Sequence, residues 1–261
     1  MKMYNHLGEF RKFIRQVREG WVNANLGSNE ELFWNQYVSE WEKSEENKEV
    51  RYLGTEWKYE EDFLSLLQKY AGSEKEAIEI GCGGGRITAT GVKLFKHVYA
   101  ADLSSEMLRK CKEAITASNV SFHKLDGFTL QDFADGTVDC VYSHDVFVQL
   151  SSTQVYPYFR EIKRVLKDEG IGLVSFYGFV DQFELFKEWS LQFWSERKPP
   201  MYRRLHFVTE EMLRTMLADL ELQVLDVRKG RFLIVAFGKS IRTGQLSNES
   251  NLTGGGLKGE F

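Results

Sequence analysis

Residues that could bind a ligand follow short apolar segments of the chain, and the first of these segments is the most informative. Residues 77–80 are apolar apart from Glu79, and they run directly into a turn that contains Gly81, Gly83 and Gly85. Because glycine has no Cβ, a ligand can touch the backbone of such a turn, and N–H groups of a following helix can point at it. The stretch therefore predicts a buried strand, a ligand-binding turn and the start of a helix.

Polar side chains also follow three later apolar segments. Asp102 and Asp126 each come at the end of one segment, and Ser143, His144 and Asp145 follow another. Ligands of doubly wound α/β sheets bind at the carboxyl ends of the strands, where such side chains meet. We therefore expect these residues to form one site with the glycine turn.

The spacing of the glycines distinguishes between two families of proteins that bind nucleotide-like cofactors. The dinucleotide fingerprint G-x-G-x-x-G requires a small third residue, but Arg86 holds that position. The pattern present is acid-x-G-x-G-x-G, and it resembles motif I of the class I S-adenosylmethionine (SAM) methyltransferases. The resemblance covers about residues 77–175, with weaker agreement to 239, and it includes Ala101-Asp-Leu-Ser, Leu125-Asp-Gly, Asp139-Cys-Val-Tyr-Ser-His-Asp-Val and Glu161-Ile-Lys-Arg-Val-Leu-Lys-Asp-Glu-Gly170. The chain departs from many relatives at Gln149, where they carry histidine.

The resemblance implies roles for the residues at the strand ends. Asp102 would accept hydrogen bonds from both ribose hydroxyls, and Asp126 would accept one from the adenine amine. A turn-forming role before a glycine is an alternative for Asp126. Glu79 would hold backbone N–H groups or the methionine ammonium. The remaining expected cofactor contacts are the apolar walls and turn residues Leu103, Met107, Phe128, Gly81, Gly83, Gly85, Gly127 and Ser143.

Candidate acceptor-site residues lie after the fourth strand and in the aromatic segments. His144 is the candidate general base, and a histidine bonded to neighbouring backbone is the alternative. Asp145 could orient His144 or bind the acceptor. Trp57, Tyr177 and His206 are further candidates for acceptor binding.

The elements that would position these residues follow from apolar periodicity. Strands alternate with helices from Ala77 onward, which predicts an α/β fold with a parallel sheet covered on both faces. The resemblance implies a Rossmann-like, seven-stranded sheet of order 3-2-1-4-5-7-6 with an antiparallel last strand. The predicted strands are 77–80, 98–102, 120–125, 138–142, 171–177, 222–227 and 232–237, and the predicted helices include 59–71, 85–94, 105–117 and 210–219.

Helical and aromatic segments flank this predicted sheet. We predict that residues 1–58 form an N-terminal helical cap or lid. Residues 59–239 would form the methyltransferase core that the resemblance implies. The aromatic stretch 178–207 is too long for a simple connection, so it reads as an inserted cap. Residues 240–261 are polar and glycine-rich, and we expect a disordered tail.

Composition limits the functional classes. The chain has 261 residues, of which 43% are hydrophobic and 28% charged, and a net charge of −4 gives no general attraction to nucleic acid or anionic membrane. No apolar run approaches the ~20 residues of a membrane span, and no secretory signal is recognisable. The three cysteines lack metal-ligand spacing. We expect free thiols, no metal, a cytoplasmic location, and neither a nucleic-acid nor a membrane partner; a homodimer is one option.

These observations favour a SAM-dependent methyltransferase acting on an oxygen or nitrogen atom of a small molecule. The aromatic segments indicate an enclosed pocket of the kind that binds small ligands. A non-catalytic SAM-binding subunit, with a regulatory or scaffold role, is the first alternative. A nicotinamide-dependent oxidoreductase is the second, and Arg86 argues against it.

Overall fold

The fold is built around a mostly parallel β-sheet. The computed structural model describes residues 30–44, 47, 52–53, 60–196 and 205–239. The helices are α1 (Glu30–Lys43), α2 (Glu61–Tyr70), α3 (Thr88–Leu94), α4 (Ser105–Ala114), α5 (Ser152–Val165), α6 (Phe183–Glu196) and α7 (Glu210–Asp219). The strands are β1 (Gly72–Ile80), β2 (Phe95–Asp102), β3 (Val120–Lys124), β4 (Val138–Ser143), β5 (Leu166–Gly178), β6 (Phe207–Val208), β7 (Leu222–Arg228) and β8 (Leu233–Lys239).

The strand order confirms the predicted topology. The main sheet runs β3-β2-β1-β4-β5-β8-β7, and the two-residue strand β6 pairs only with β5. Without that short strand in the numbering, the order is the expected 3-2-1-4-5-7-6. Strands β1 to β5 pair in parallel, and β8 pairs antiparallel with both β5 and β7.

Several predicted boundaries were wrong, chiefly where a strand begins with polar residues. Strand β1 begins at Gly72 rather than Ala77, and its polar start is exposed or half-buried. Strand β5 likewise begins at Leu166 rather than Ile171. Helix α3 begins at Thr88 rather than 85, because the glycine turn continues further, and α4 ends at Ala114 rather than 117. Apolar patterning detects the buried part of a strand and misses its solvated start.

The two faces of the sheet carry separate cores, because side chains alternate along a strand. Ile78 belongs to a cluster with Phe159 of α5 and Leu213 of α7. Its neighbour Ala77 belongs to the opposite cluster, with Phe63 of α2. This burial on both faces fixes the strands, and therefore fixes where their carboxyl ends meet.

Helix starts at the carboxyl edge are set by side-chain caps. Ser104 accepts a hydrogen bond from the Met107 N–H at the start of α4, and Thr209 accepts one from Met212 N–H at the start of α7. Such caps satisfy N–H groups that have no partner within the helix. Ser104 thereby places the beginning of α4 next to Asp102, the last residue of β2.

The flanking segments are described in part. The α1 helix and residues 44, 47 and 52–53 belong to the predicted N-terminal cap, and α6 to the predicted insert; the other residues of the cap, residues 197–204 and the predicted tail lie outside the described residues. The predicted division into domains stays a prediction. Within the described residues, no helix is long and apolar enough to cross a membrane. Cys82, Cys111 and Cys140 are buried free thiols.

Candidate functional site

The glycine turn after β1 is held against the end of β2. The N–H groups of Gly81 and Cys82 both donate to the Ala101 carbonyl oxygen, at 2.7 and 3.0 Å. Gly81 has a φ of +74°, and a Cβ there would lie 2.3 Å from a methyl carbon of Val146. Gly83 has a φ of +52°, and a Cβ there would meet no atom within 4 Å. The turn therefore requires glycine at position 81, where a side chain would clash, and has open space beside Gly83.

Asp102 links this turn to α4. Its Oδ2 accepts the Gly83 N–H at 2.9 Å, and its Oδ1 accepts the Ser104 N–H at 2.8 Å. Burial raises the pKa of Asp102, against the lowering effect of these backbone donors. A carboxylate oxygen has more than one lone pair, so both oxygens can accept a further hydrogen bond from a ligand. The residue lies where the sequence placed it.

Glu79 differs from its predicted contacts. Its side chain is bonded to Thr88 and to the Tyr142 hydroxyl, which lies 3.2 Å from Oε2. Among the described residues, no N–H group of the glycine turn donates to it. Burial raises the pKa of Glu79 to about 8, so the carboxyl is largely protonated at neutral pH. The predicted ammonium contact stays a prediction.

Asp126 forms the turn that was the alternative to its predicted contact with adenine. Its Oδ1 accepts the N–H groups of Phe128 and Thr129, both at 2.7 Å, and its Oδ2 accepts the Thr129 hydroxyl at 2.8 Å. Partial burial opposes these hydrogen bonds, but they lower the pKa of Asp126 overall. Gly127 has a φ of +84° and open space in front of it. Phe128 is 69% exposed, so its ring is accessible and could form an apolar wall against a bound ligand.

The other expected cofactor contacts lie around α4 and β4. Leu103 is half-buried, and its carbonyl oxygen accepts a hydrogen bond from Lys124. Met107 is buried against α1. Ser143 is fully buried and donates to the Ile80 carbonyl oxygen at 2.8 Å, which ties the ends of β1 and β4 together.

His144 is a buried, neutral imidazole between aromatic rings. Its ring centroid lies 4.5 Å from that of Phe63 and 4.8 Å from that of Phe232. Burial, and secondarily the positive charge of Arg86, lower the pKa of His144 to about 3. Nε2 is buried and has no hydrogen-bond partner in the described part of the chain. A buried polar atom without a partner is uncommon in proteins, so Nε2 is a candidate contact for a ligand.

Ser175, which the sequence reasoning missed, fixes both His144 and Asp145. Its hydroxyl oxygen accepts the Asp145 N–H at 2.9 Å and lies 3.1 Å from His144 Nδ1. The Ser175 hydroxyl can also donate its proton to Nδ1, in which case the ring proton of His144 lies on Nε2. Ser175 lies in an apolar strand, and no local pattern marks it.

Asp145 is held in an uncommon backbone conformation. Its φ is +62°, which a residue other than glycine rarely adopts outside functional sites and turns. Burial raises the pKa of Asp145 to about 6, while Arg86 and Arg231 lower it. Arg86 is itself paired with Glu60, with Nη1 and Oε2 2.6 Å apart. These charged residues come from the glycine turn, from α2 and from the β7–β8 connection, so sequence spacing could not associate them.

The three other acceptor-site candidates differ in position. The Tyr177 ring is buried and stacks on that of Phe232, with centroids 5.4 Å apart, and it also contacts Trp189 of α6. His206 is half-buried, its backbone N–H donates to the Val148 carbonyl oxygen at 2.7 Å, and burial lowers its pKa. Trp57 lies outside the described residues. Within the described ranges, no group of His, Cys, Asp and Glu side chains could hold a metal ion.

Comparisons with known proteins agree with this fold. Residues 78–174 match the family model described as a methyltransferase domain. A search of curated protein sequences found no significant match.

Solved structures share the fold at low sequence identity. A SAM-dependent methyltransferase of Methanosarcina mazei is 19% identical, with a TM-score of 0.56, over 68% of this chain and 98% of that one. Magnesium protoporphyrin IX methyltransferase of Synechocystis, solved with bound SAH, is 17% identical, with a TM-score of 0.54, over 69% and 80% of the two chains. A protein of Pyrococcus horikoshii is 22% identical, with a TM-score of 0.58, over 72% and 92%.

Proposed function

We propose that this chain, whose residues 78–174 match the family model described as a methyltransferase domain, is a class I, SAM-dependent methyltransferase that methylates an oxygen or nitrogen atom of a small molecule. The observation that carries the proposal is the buried, unpartnered Nε2 of His144, which lies among aromatic rings after β4. An apolar, ring-lined site with few polar groups is the usual design for a small-molecule ligand.

The residues after β1, β2 and β3 fit the cofactor. Gly83 and Gly127 have open space where a side chain would otherwise stand, and the turn of Gly83 exposes backbone. Asp102 keeps acceptor capacity on both oxygens for a pair of ribose hydroxyls. SAM, when bound, supplies an activated methyl group on a sulfonium sulfur, so the protein has chiefly to align an acceptor and exclude water.

His144 is suited to orienting the acceptor. With a pKa of about 3, the imidazole of His144 is too weak a base to remove a proton efficiently at neutral pH. We therefore do not assign it the general-base role. In the tautomer that accepts the Ser175 hydroxyl proton on Nδ1, Nε2 carries the ring proton and is a hydrogen-bond donor. We therefore assign His144 to orienting the acceptor molecule by a hydrogen bond to a lone pair other than the one that attacks the methyl group.

Asp145 is the better candidate for proton removal. Its pKa of about 6 leaves the carboxylate mostly ionised at neutral pH and still basic enough to accept a proton. Its carboxylate makes no hydrogen bond within the described residues. A hydroxyl acceptor would need this base, whereas an amine acceptor could lose its proton before it binds.

The proposal is tested with SAM that carries a trideuterated methyl group, incubated with the protein and fractionated cell extracts. Mass spectrometry should show the label in a small molecule, with stoichiometric formation of S-adenosylhomocysteine (SAH). Label in RNA or protein fractions would contradict the acceptor class. SAH binding without label transfer to any fraction would favour the non-catalytic alternative.

A further inference from the structure

Helix α1 is bonded to the N-terminal turn of α4 through one side chain. The Oδ1 atom of Asn35 accepts the Ser104 hydroxyl at 2.7 Å and the Glu106 N–H at 3.3 Å. Two donors converge on this oxygen, so the amide orientation is fixed. Asn35 therefore supplies a second cap for α4, from a helix that precedes it by about 70 residues in the chain.

Asn35 is connected through Ser104 to the residues proposed for the cofactor site. Ser104 donates its backbone N–H to Asp102 and accepts the N–H of Met107 on its hydroxyl. Gly83, Asp102, Ser104 and Asn35 thus form one continuous chain of hydrogen bonds from the glycine turn to α1. A shift of Asn35 changes the surroundings of the ribose-binding carboxylate without any direct contact between the two residues.

Apolar contacts extend the same attachment to the glycine turn. Tyr37, Val38 and Trp41 of α1 pack with Met107 and with Leu53, which follows α1 in the chain. A Cβ on Gly84 would lie 2.6 Å from the Leu53 Cβ, so Leu53 rests directly on the turn. The described part of residues 30–53 therefore covers both sides of the site, α4 and the glycine turn.

Ion pairs surround this contact at the surface. Glu31 pairs with Lys124, at 3.0 Å, and Glu42 with Arg109 and Lys110, at 2.8 and 3.2 Å. Exposed pairs of this kind contribute little each, so the specific part of the attachment is the hydrogen-bonded Asn35.

We propose that α1 acts as a clamp on the adenosine half of the cofactor site, with Asn35 as the positioning residue that couples α1 docking to SAM binding. This inference rests on the proposed function, since it assigns α1 to the same SAM site. By thermodynamic linkage, a clamp that favours cofactor binding must itself be stabilised by the bound cofactor. The coupling therefore has two independent readouts, affinity and protection of α1.

The first experiment is calorimetric titration of the full chain with SAH. Asn35→Ala should weaken SAH binding about tenfold, the consequence of losing one half-buried hydrogen-bond acceptor. Asn35→Asp keeps the acceptor oxygen and should restore most of the affinity. Ser39→Ala, an exposed position on the same helix, is the matched control and should bind SAH as the wild type does.

The second experiment is hydrogen exchange of the peptide that spans α1, with and without SAH. We expect SAH to slow exchange in wild type and in Ser39→Ala, and to have little effect in Asn35→Ala. Wild-type SAH affinity and protection in Asn35→Ala would overturn the clamp and leave the proposed function intact. Failure of the wild type to bind SAH would instead overturn the proposed function on which the clamp rests.

Discussion

At the scale of single residues, we propose different roles for His144 and Asp145. The pKa of His144 is lowered to about 3 and that of Asp145 is raised to about 6, in both cases chiefly by burial. Burial disfavours whichever form is charged, so the same environment moves the two groups in opposite directions. Environments that shift the pKa values of two neighbouring titratable groups in opposite directions are frequent in sites of acid–base chemistry.

Replacement of Asp145 by asparagine tests this assignment. With the acceptor found by labelling, Asp145→Asn should lower kcat by about a hundredfold or more and leave SAH affinity unchanged. In wild type, kcat should rise with pH as the carboxylate deprotonates near about pH 6, and then level off. The measurement is SAH formation against pH. A wild-type rate in the variant would contradict the base role and indicate an acceptor that arrives deprotonated.

The sequence predicted the residues that end strands and missed those whose role depends on pairing. Asp102 is buried at the glycine turn, as its place after an apolar segment indicated. Ser175 and Asn35 act through contacts with residues far away in sequence, and each lies in a segment with no motif of its own. Pattern reasoning detects local order and cannot supply such contacts before the strand register is known.

At the scale of elements, the glycine turn is the most constrained connection in the site. Gly81→Ala should lower the free energy of unfolding by more than about 1 kcal/mol, because a left-handed backbone is combined with a clash against Val146. The variant should also lose SAH affinity, since the turn must shift. Denaturant unfolding and calorimetry would measure the two effects.

Gly136→Ala is the matched control for this prediction. Gly136 has a similar φ, +64°, but a Cβ there would meet no atom within 4 Å. The control should carry the backbone cost alone, about 1 kcal/mol, with unchanged SAH affinity. Equal losses of SAH affinity in both variants would contradict the argument that the turn itself binds the cofactor.

Elements were predicted best where they are buried. Ser104 and Thr209 cap helices whose apolar faces are buried, and a hydroxyl residue before an apolar periodic segment is a start signal that a sequence can show. The solvated beginnings of β1 and β5 were missed, because their charged residues carry no strand signal. Strand order came from the resemblance to a family, not from periodicity.

At the scale of the whole molecule, Glu79 makes stability depend on pH. Its pKa is about 8 in the folded protein and about 4.3 in an unfolded chain, so the folded state binds the extra proton between these values. The unfolded state then binds fewer protons, and stability falls as pH rises through this window.

Glu79→Gln should remove this contribution. We expect the variant to be more stable than wild type by about 1–3 kcal/mol near pH 8 and equally stable below about pH 4. Denaturant unfolding at several pH values gives the comparison. A difference between variant and wild type that does not change with pH would show that the carboxyl ionises normally in the folded state.

The central claim for the whole molecule is that the carboxyl ends of β1, β2 and β3 bind SAM. The most direct measurement is calorimetric titration with SAM and SAH of wild type and of Asp102→Ala, with folding of both checked by circular dichroism. We predict clear binding of both ligands to wild type and its loss in Asp102→Ala, which removes the acceptor for the ribose hydroxyls. Absence of binding to well-folded wild type would contradict the claim, and the glycine turn would then be a structural connection only.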